Sequence, residues 1–172
     1  MTTHDDVVEE RRNFLYIATG AAGAVAAGAA VWPLVDQMNP SKEVLALSSI
    51  EVNLNNIPLG QSAVFLWRGN PVFIRHRTAD EIAEARADDT ADLVDPENDE
   101  DRVQRPEWLI MSGVCTHLGC VPLDQQGEFG GWFCPCHGSH YDISGRIRKG
   151  PAPLNLPIVE YAFLDNSTVR IG

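Results

Sequence analysis

The stretch that decides the fold is CPCHGSHY, from Cys134 to Tyr141. Cys134 and Cys136 stand only two positions apart, which is too close for a comfortable disulfide between them. His137 follows directly, and another histidine stands at position 140. Each of the two cysteines therefore needs a different partner.

The other two cysteines lie in a similar stretch, CTHLGC, which we call box one (Cys115–Cys120). Box two is CPCHGS (Cys134–Ser139), and 16 residues separate His117 from Cys134. Each box supplies two thiols and one histidine, but neither offers cleanly the paired thiol spacing of a four-cysteine zinc site. A Cys2His2 zinc site, two plain disulfides with uninvolved histidines and a catalytic cysteine remain open on residue types alone.

The two boxes match the patterns C-x-H-x-G-C and C-x-C-H-x-x without a departure, and the chain resembles the Rieske iron–sulfur proteins. In that family the first cysteine and the histidine of each box bind a [2Fe–2S] cluster, and the second cysteines form a disulfide between the loops. The resemblance implies one cluster, and a disulfide between Cys120 and Cys136. The implied cluster ligands are Cys115, His117, Cys134 and His137.

This ligand set has a clear electrostatic consequence. Two ferric ions, two sulfides and two thiolates are formally neutral together, whereas four thiolates would repel an added electron. Imidazole ligation therefore raises the reduction potential, into the range of roughly −150 to +300 mV given for Rieske centres as a class. The implied disulfide closes the loop from residue 120 to 136, for which chain entropy suggests about 3 kcal/mol of stabilisation.

Further residues near the boxes take roles from the same resemblance. Ser139 is expected to hydrogen-bond a bridging sulfide, and Tyr141 the thiolate of Cys115; Tyr141 as a plain core aromatic is the alternative. A Pro loop braces the cluster from a third side, formed by Gly150, Pro151, Ala152 and Pro153. We interpret His76 and His140 as ordinary polar residues. Arg146, Arg148 and Lys149 are either solvated or in contact with a partner.

The two ligand histidines are expected to be more than ligands. Each would have one ring nitrogen on iron and the other N–H exposed at the tip of the domain. A nearby ferric ion lowers the pKa of that outer nitrogen and reduction raises it again, which couples the electron to a proton. Such a site suits a hydroquinone donor. By resemblance, His137 hydrogen-bonds the quinol, and Leu118 helps to cover the cluster beside it.

The N-terminus indicates export and membrane anchoring. Arg11 and Arg12 precede Phe14 and Leu15, as in a twin-arginine export signal. The 23 residues 13–35 carry no charge and are long enough to cross a bilayer. A cleaved signal peptide is the alternative, but apolar residues continue past its small-residue site at 27–29.

These features predict four regions. Residues 1–12 form a cytoplasmic tail, 13–35 a transmembrane helix, 36–48 a flexible tether and 49–172 an all-β Rieske domain, an antiparallel β-sandwich. Its cluster-binding subdomain is expected at about 113–154. Local patterns predict the following elements: a hairpin of strands 62–67 and 71–75, a helix with a capping box at Thr78–Glu81, a buried strand at 108–111, and two strands at 157–163 and 168–171.

The net charge of −11 is concentrated in one segment. Residues 79–105 carry eleven acidic and three basic side chains. We interpret this segment as a solvated surface insert, with an acidic docking face for a basic partner as the alternative. Nucleic-acid binding is not indicated, because the chain has no basic patch and a pI of about 4.7.

The likeness extends beyond the boxes to the Rieske subunits of bacterial cytochrome bc complexes, through FGGWFCPCHGSHYD and RIRKGPAPLNLP. It implies quinol oxidation at the outer face of the inner membrane, with the Rieske domain on the periplasmic side. One electron, with a proton through a ligand histidine, would pass from ubiquinol to the cluster and then to a c-type cytochrome, contributing to proton translocation. The implied partners are a cytochrome b subunit, a c-type cytochrome subunit and ubiquinol, within a dimeric complex.

Electron delivery in that family needs a movement of the Rieske domain, which in turn needs a pliable tether. The expected tether consists of Ser41, Lys42, Glu43, Val44, Leu45, Ala46 and Leu47.

Two other kinds of Rieske protein remain open: the small subunit of a periplasmic oxidase such as arsenite oxidase, and a soluble ferredoxin or oxygenase component. The latter generally lacks the second cysteine pair and any export signal, so Cys120 and Cys136 count against it. The N-terminal helix and the GPAP stretch count against the former.

Overall fold

A computed structural model describes residues 4–41 and 48–172 of the chain. These residues fall into two units, one before and one after the gap. Of the expected tether, the residues from Lys42 to Leu47 lie outside the described ranges.

The first unit is a helix, α1 (His4–Asp36), which begins earlier than the predicted span 13–35. No glycine or proline interrupts residues 4–12, so nothing there stops the helix from extending towards the N-terminus. Among the described residues, its part Glu9–Asp36 is the one helix long and apolar enough to cross a membrane. At 1.5 Å per residue these 28 residues span about 42 Å.

Two antiparallel sheets form the base of the second unit. One has the order β1-β10-β9, and the other has the order β2-β3-β4. The first sheet contains β1 (Ile50–Asn53), β9 (Tyr161–Phe163) and β10 (Thr168–Ile171). The second contains β2 (Ser62–Trp67), β3 (Asn70–His76) and β4 (Trp108–Ser112). Their facing side chains share one core, in which Val52 and Val169 meet Ile74 and Ile110. The predicted all-β sandwich is confirmed.

A third antiparallel sheet, β5-β6-β7-β8, carries box two. Its strands are β5 (Leu123–Asp124), β6 (Gly130–Cys134), β7 (Ser139–Asp142) and β8 (Ile147–Lys149). Phe73 and Met111 point away from the first core and pack with Trp132 and Tyr141 in a second core. This follows from the alternation of side chains along β3 and β4. The sheet β2-β3-β4 therefore packs on the first sheet with one face and on the third sheet with the other.

Two local predictions are confirmed in detail. The hairpin of β2 and β3 turns through Arg68 and Gly69, whose φ angles of 51° and 79° suit the two-residue turn of a twisted hairpin. Helix α2 (Ala79–Ala87) begins with a capping box between Thr78 and Glu81. Each of these two residues accepts a backbone N–H of the other.

Of the last two predicted strands, 168–171 is confirmed as β10, and the other is shorter than predicted. The expected strand 157–163 is regular only over β9, and Ile158 makes an isolated bridge to Met111. Pro157 has no N–H for a ladder, and its carbonyl instead accepts the N–H of Ser112. The chain therefore passes β4 before it joins the first sheet.

The interpretation of the acidic segment 79–105 as a solvated insert is wrong for nearly half of its acidic residues, because five of the eleven form ion pairs with arginines. Five of its carboxylates pair with arginines whose guanidinium groups are mostly buried. The pairs are Glu81–Arg75, Asp99–Arg77, Glu97–Arg102, Asp89–Arg146 and Asp88–Arg148. Arg146 is fully buried, so it is neither solvated nor free for a partner. The segment neutralises charges that the interior could not otherwise hold.

The pair Arg77–Asp99 shows how the segment is fixed. Both side chains are buried, and Asp99 accepts hydrogen bonds from Arg77 at 2.5 and 3.1 Å and from the Ser144 hydroxyl at 2.5 Å. Burial by itself raises the pKa of Asp99, but these hydrogen bonds and the charge of Arg77 outweigh it and lower the pKa. The pair therefore stabilises the fold at neutral pH, and this contribution is lost as the pH falls through the lowered pKa.

We predict that Asp99→Ala destabilises the protein by about 3–5 kcal/mol, because it leaves the buried charge of Arg77 without its carboxylate. Urea unfolding of the detergent-solubilised protein, followed by far-UV circular dichroism, measures the loss. The matched control is Glu100→Ala, which removes the same charge from an exposed neighbour and should change stability by less than about 0.5 kcal/mol. Equal losses in the two variants would contradict this role of Asp99.

Candidate metal centre

Boxes one and two fold into equivalent turns. In box one the N–H of Gly119 donates to the carbonyl of Cys115 at 3.0 Å, and in box two the N–H of Gly138 donates to the carbonyl of Cys134 at 3.0 Å. Both glycines have positive φ angles, 81° and 76°, which favour glycine at the end of such a turn. Each turn places its histidine between the first cysteine and the glycine.

A disulfide between Cys120 and Cys136 joins the two turns, with a Cα–Cα distance of 6.7 Å. It is the pairing that the Rieske resemblance implies. The sulfur of Cys134 lies within 4.8 Å of both disulfide sulfurs. Because the thiolate is the metal-binding form of cysteine and a disulfide sulfur cannot become a thiolate, Cys120 and Cys136 leave the donor role to the two remaining thiols.

The two turns carry two free thiols and two neighbouring imidazoles. Cys115 and Cys134 are free and buried, each 2% exposed. The rings of His117 and His137 lie with their centroids 4.7 Å apart and nearly perpendicular, at 88°. His137 is exposed and His117 is half-buried. Two soft sulfur donors beside two imidazoles are a donor set that fits a histidine-ligated [2Fe–2S] cluster.

Tyr141 is buried below the thiols. Its hydroxyl lies 3.2 Å from the Cys115 sulfur and 3.5 Å from the Thr116 hydroxyl. Burial raises the pKa of Cys115, but the Tyr141 hydroxyl and the His117 N–H outweigh this effect, and the net pKa is lowered. The pKa of Tyr141 itself is raised, by burial and by its contact with Cys115. The contact of Tyr141 is therefore with the atom expected from the sequence.

Ser139 lies at the start of β7 and is buried. Its oxygen accepts the N–H of Ala152 at 3.2 Å, which leaves its hydroxyl proton available for another acceptor. Its expected partner, a bridging sulfide, belongs to the cluster. The Ser139 hydroxyl also contributes to the lowered pKa of Cys115.

The Pro loop packs tightly against box two. Gly150 has a φ angle of 104°, and a Cβ at this position would lie 2.5 Å from the carbonyl oxygen of Gly138. Only glycine allows this approach. Directly after the loop, the carbonyl of Leu154 accepts the Thr116 hydroxyl of box one at 2.7 Å. The loop and the residue that follows it therefore contact both ligand-bearing turns.

Leu118 occupies the tip of box one and is 70% exposed. At this position the side chain is accessible to another molecule. The histidines that we interpreted as ordinary polar residues make other contacts. His76 bonds the Ile57 carbonyl, and His140 accepts the N–H of Glu128.

Sequence reasoning missed three contributors near the site: Thr116, Asp95 and Asn155. Thr116 lies between the expected ligands Cys115 and His117, and a hydroxyl at that position is a sequence signal for a hydrogen bond near the site. The other two come together only in the folded chain, 60 residues apart in sequence. No local pattern connects them.

Comparison with known proteins gives the same family throughout. Residues 79–160 match the family described as the Rieske [2Fe–2S] domain. Residues 1–41 match the family described as Ubiquitinol-cytochrome C reductase Fe-S subunit TAT signal. The two matches together include α1 and most of the second unit.

Individual relatives cover almost the whole chain. The ubiquinol–cytochrome c reductase iron–sulfur subunit of Rhodospirillum rubrum is 60% identical over 94% of this chain and 91% of its own length. The mitochondrial cytochrome b-c1 complex subunit Rieske of Saccharomyces cerevisiae is 54% identical over 98% of this chain and 82% of its own length. Among solved structures, a chain of a hyperthermophilic respiratory complex III has a TM-score of 0.57 and 27% identity, covering 90% of this chain and 98% of its own.

We predict that Tyr141→Phe and Ser139→Ala each lower the midpoint potential while the cluster is retained. Each hydroxyl stabilises the reduced, more negative state more than the oxidised one. A hydrogen bond to a charged group contributes about 1.5–3 kcal/mol. At roughly 59 mV per tenfold for one electron, each shift is at most about 65–130 mV.

Redox titration followed by EPR measures these potentials. The matched control is Tyr161→Phe, which removes a buried hydroxyl that accepts the Gln104 N–H in the base of the domain. Its midpoint should equal that of the unmodified protein. Unchanged midpoints in both Tyr141→Phe and Ser139→Ala would refute the assignment.

Proposed function

Since this chain belongs to the Rieske iron–sulfur subunits of ubiquinol–cytochrome c reductase, we propose that it takes electrons from ubiquinol at a cytochrome b subunit and delivers them to a c-type cytochrome. The observation that carries this proposal is the arrangement of two buried free thiols and two facing imidazoles on disulfide-linked turns. The relatives of this chain are named as the Rieske, or iron–sulfur, subunits of ubiquinol–cytochrome c reductase and the cytochrome b-c1 complex.

The proposed cluster ligands are the side chains that remain free after the disulfide has formed: Cys115, His117, Cys134 and His137. When bound, a [2Fe–2S] cluster held by two imidazoles supplies a one-electron acceptor of raised potential. Cys115 and Cys134 are buried, so their turns exclude water from the sulfur atoms. The disulfide and the Pro loop keep the two turns from separating.

The proposed quinol contact is His137, because its ring is the more exposed of the two imidazoles. One ring nitrogen would bind iron, and the other would hydrogen-bond a quinol hydroxyl and take its proton. His117 would hold a proton in the same way at its own outer nitrogen. The exposed side chain of Leu118 would cover the contact against solvent when the domain is docked on the cytochrome b subunit.

The remaining parts of the chain fit a membrane-anchored subunit of a bacterial respiratory complex. We propose that α1 stays in the inner membrane, with Arg11 and Arg12 on the cytoplasmic side and the Rieske domain in the periplasm. The tether, Ser41 to Leu47, would let the domain move between its electron donor and its acceptor. The domain boundaries at 36 and 49, and the dimeric state of the complex, belong to the same proposal.

Purification from membranes in mild detergent tests this function. We predict that a cytochrome b subunit and a c-type cytochrome copurify with the chain, and that ubiquinol reduces a centre with the EPR signal of a histidine-ligated cluster. The control substrate is arsenite, which should leave the centre oxidised. Recovery of the chain without cytochrome b, or reduction by arsenite and not by quinol, would contradict the proposal.

A further inference from the structure

Asn155 follows the Pro loop and is almost entirely buried, at 5% exposed. Its side chain uses both ends: Oδ1 accepts the N–H of Ile147 at 3.0 Å, and Nδ2 donates to the Asp95 carbonyl at 2.9 Å and to the Glu97 carboxylate at 3.2 Å. Its backbone N–H donates to the Asp95 carboxylate at 2.9 Å. Asp95 thus holds Asn155 through two separate hydrogen bonds.

The peptide group between Leu154 and Asn155 is held from both sides. Its N–H donates to Asp95, and its carbonyl accepts the Thr116 hydroxyl at 2.7 Å. The N–H and C=O of a trans peptide point in opposite directions, so the group bridges its two partners rigidly. On one side stands the acidic segment, and on the other stands box one.

The bridge continues towards the expected ligand Cys115. Thr116 follows Cys115 in the chain, and its hydroxyl lies 3.5 Å from that of Tyr141, which in turn lies 3.2 Å from the Cys115 sulfur. Thr116 donates its one proton to Leu154 and Tyr141 donates its own to the Cys115 sulfur, so the two hydroxyls are in contact without a hydrogen bond. Thr116 is linked to Cys115 by the peptide bond between them, and the Asp95 carboxylate strengthens the hydrogen bond that it accepts from the Asn155 N–H. The position of Thr116 therefore depends on a carboxylate in the acidic segment.

We propose that Asp95 and Asn155 are positioning residues for the metal centre. They fix the Leu154–Asn155 peptide, which fixes Thr116 and with it the contact between Tyr141 and Cys115. This gives part of the acidic segment a role in setting the reduction potential. The inference rests on the proposed function, because it concerns the same centre.

Asp95→Ala separates this role from simple electrostatics by the direction of its effect. Removal of a negative charge favours uptake of an electron and would raise the midpoint potential. The hydrogen bond from Tyr141 to Cys115 stabilises the reduced state more than the oxidised state. Loss of the bridge loosens this bond and therefore lowers the midpoint potential. We expect the reduction equilibrium constant to fall about threefold, which is about 30 mV at 59 mV per tenfold.

Two further variants complete the series. Asp92→Ala removes the same charge from an exposed position of the same segment and should not lower the midpoint. Asp95→Asn keeps a neutral oxygen acceptor for the Asn155 N–H, so it should shift the midpoint in the same direction but by less. If Asp95→Ala does not assemble, the direction of the shift in Asp95→Asn decides the question.

The measurements use the full-length protein in its purified complex, by redox titration with EPR detection. A midpoint that is unchanged or raised in the Asp95 variants overturns the inference. If the unmodified protein keeps its histidine-ligated signal in that experiment, the proposed function stands and only the positioning role fails. An unmodified protein without that signal would instead overturn the proposed function.

Hydrogen exchange on the full chain without its cluster gives a readout that is independent of iron. The Gly119 N–H closes the box-one turn, and its exchange should be several-fold faster in Asp95→Asn than in the unmodified chain. The corresponding N–H of Gly138, in box two, serves as the internal control and should exchange at the same rate in both. Equal rates for Gly119 would contradict the bridge.

Discussion

The metal centre depends on one constraint, which is that two separate turns of the chain must meet and stay together. Each turn carries one buried thiol and one imidazole, and neither could hold a cluster alone. The disulfide between Cys120 and Cys136 joins the turns covalently. The Pro loop then packs against one turn through Gly150, and Leu154, which follows the loop, accepts a hydrogen bond from the other turn. In the closed arrangement the two thiols are buried, while His117 stays half-buried and His137 exposed.

A second constraint is that several arginines are buried in the domain and need carboxylate partners. Arg102 and Arg146 donate to carbonyls of Leu156 and Ala85, so they tie distant segments of backbone together. Such buried cations are tolerable only with carboxylates beside them, and the acidic segment supplies these. Each of these pairs is neutral, so the acidic segment is less acidic than its own composition suggests, while the net charge of the chain stays at −11.

The sequence predicts the local elements well because their causes are local. The turn at Arg68 and Gly69, the capping box of α2 and the spacing of both boxes all depend on residues within a few positions of one another. The pairing of Asp99 with Arg77, or of Asp95 with Asn155, depends on distances across the folded chain, which no pattern of a single segment records. The ligand roles of Cys115, His117, Cys134 and His137 remain predictions, supported by family membership and by two free thiols and two neighbouring imidazoles on the disulfide-linked turns.

The most direct test is Mössbauer spectroscopy of the protein enriched in ⁵⁷Fe. Nitrogen and sulfur donors divided between two irons make those irons chemically different. The account predicts two quadrupole doublets of equal area in the oxidised protein, one for an all-sulfur site and one for a site with two imidazoles. A single doublet from two equivalent all-sulfur irons, or a purified protein that contains zinc in place of iron, would contradict it.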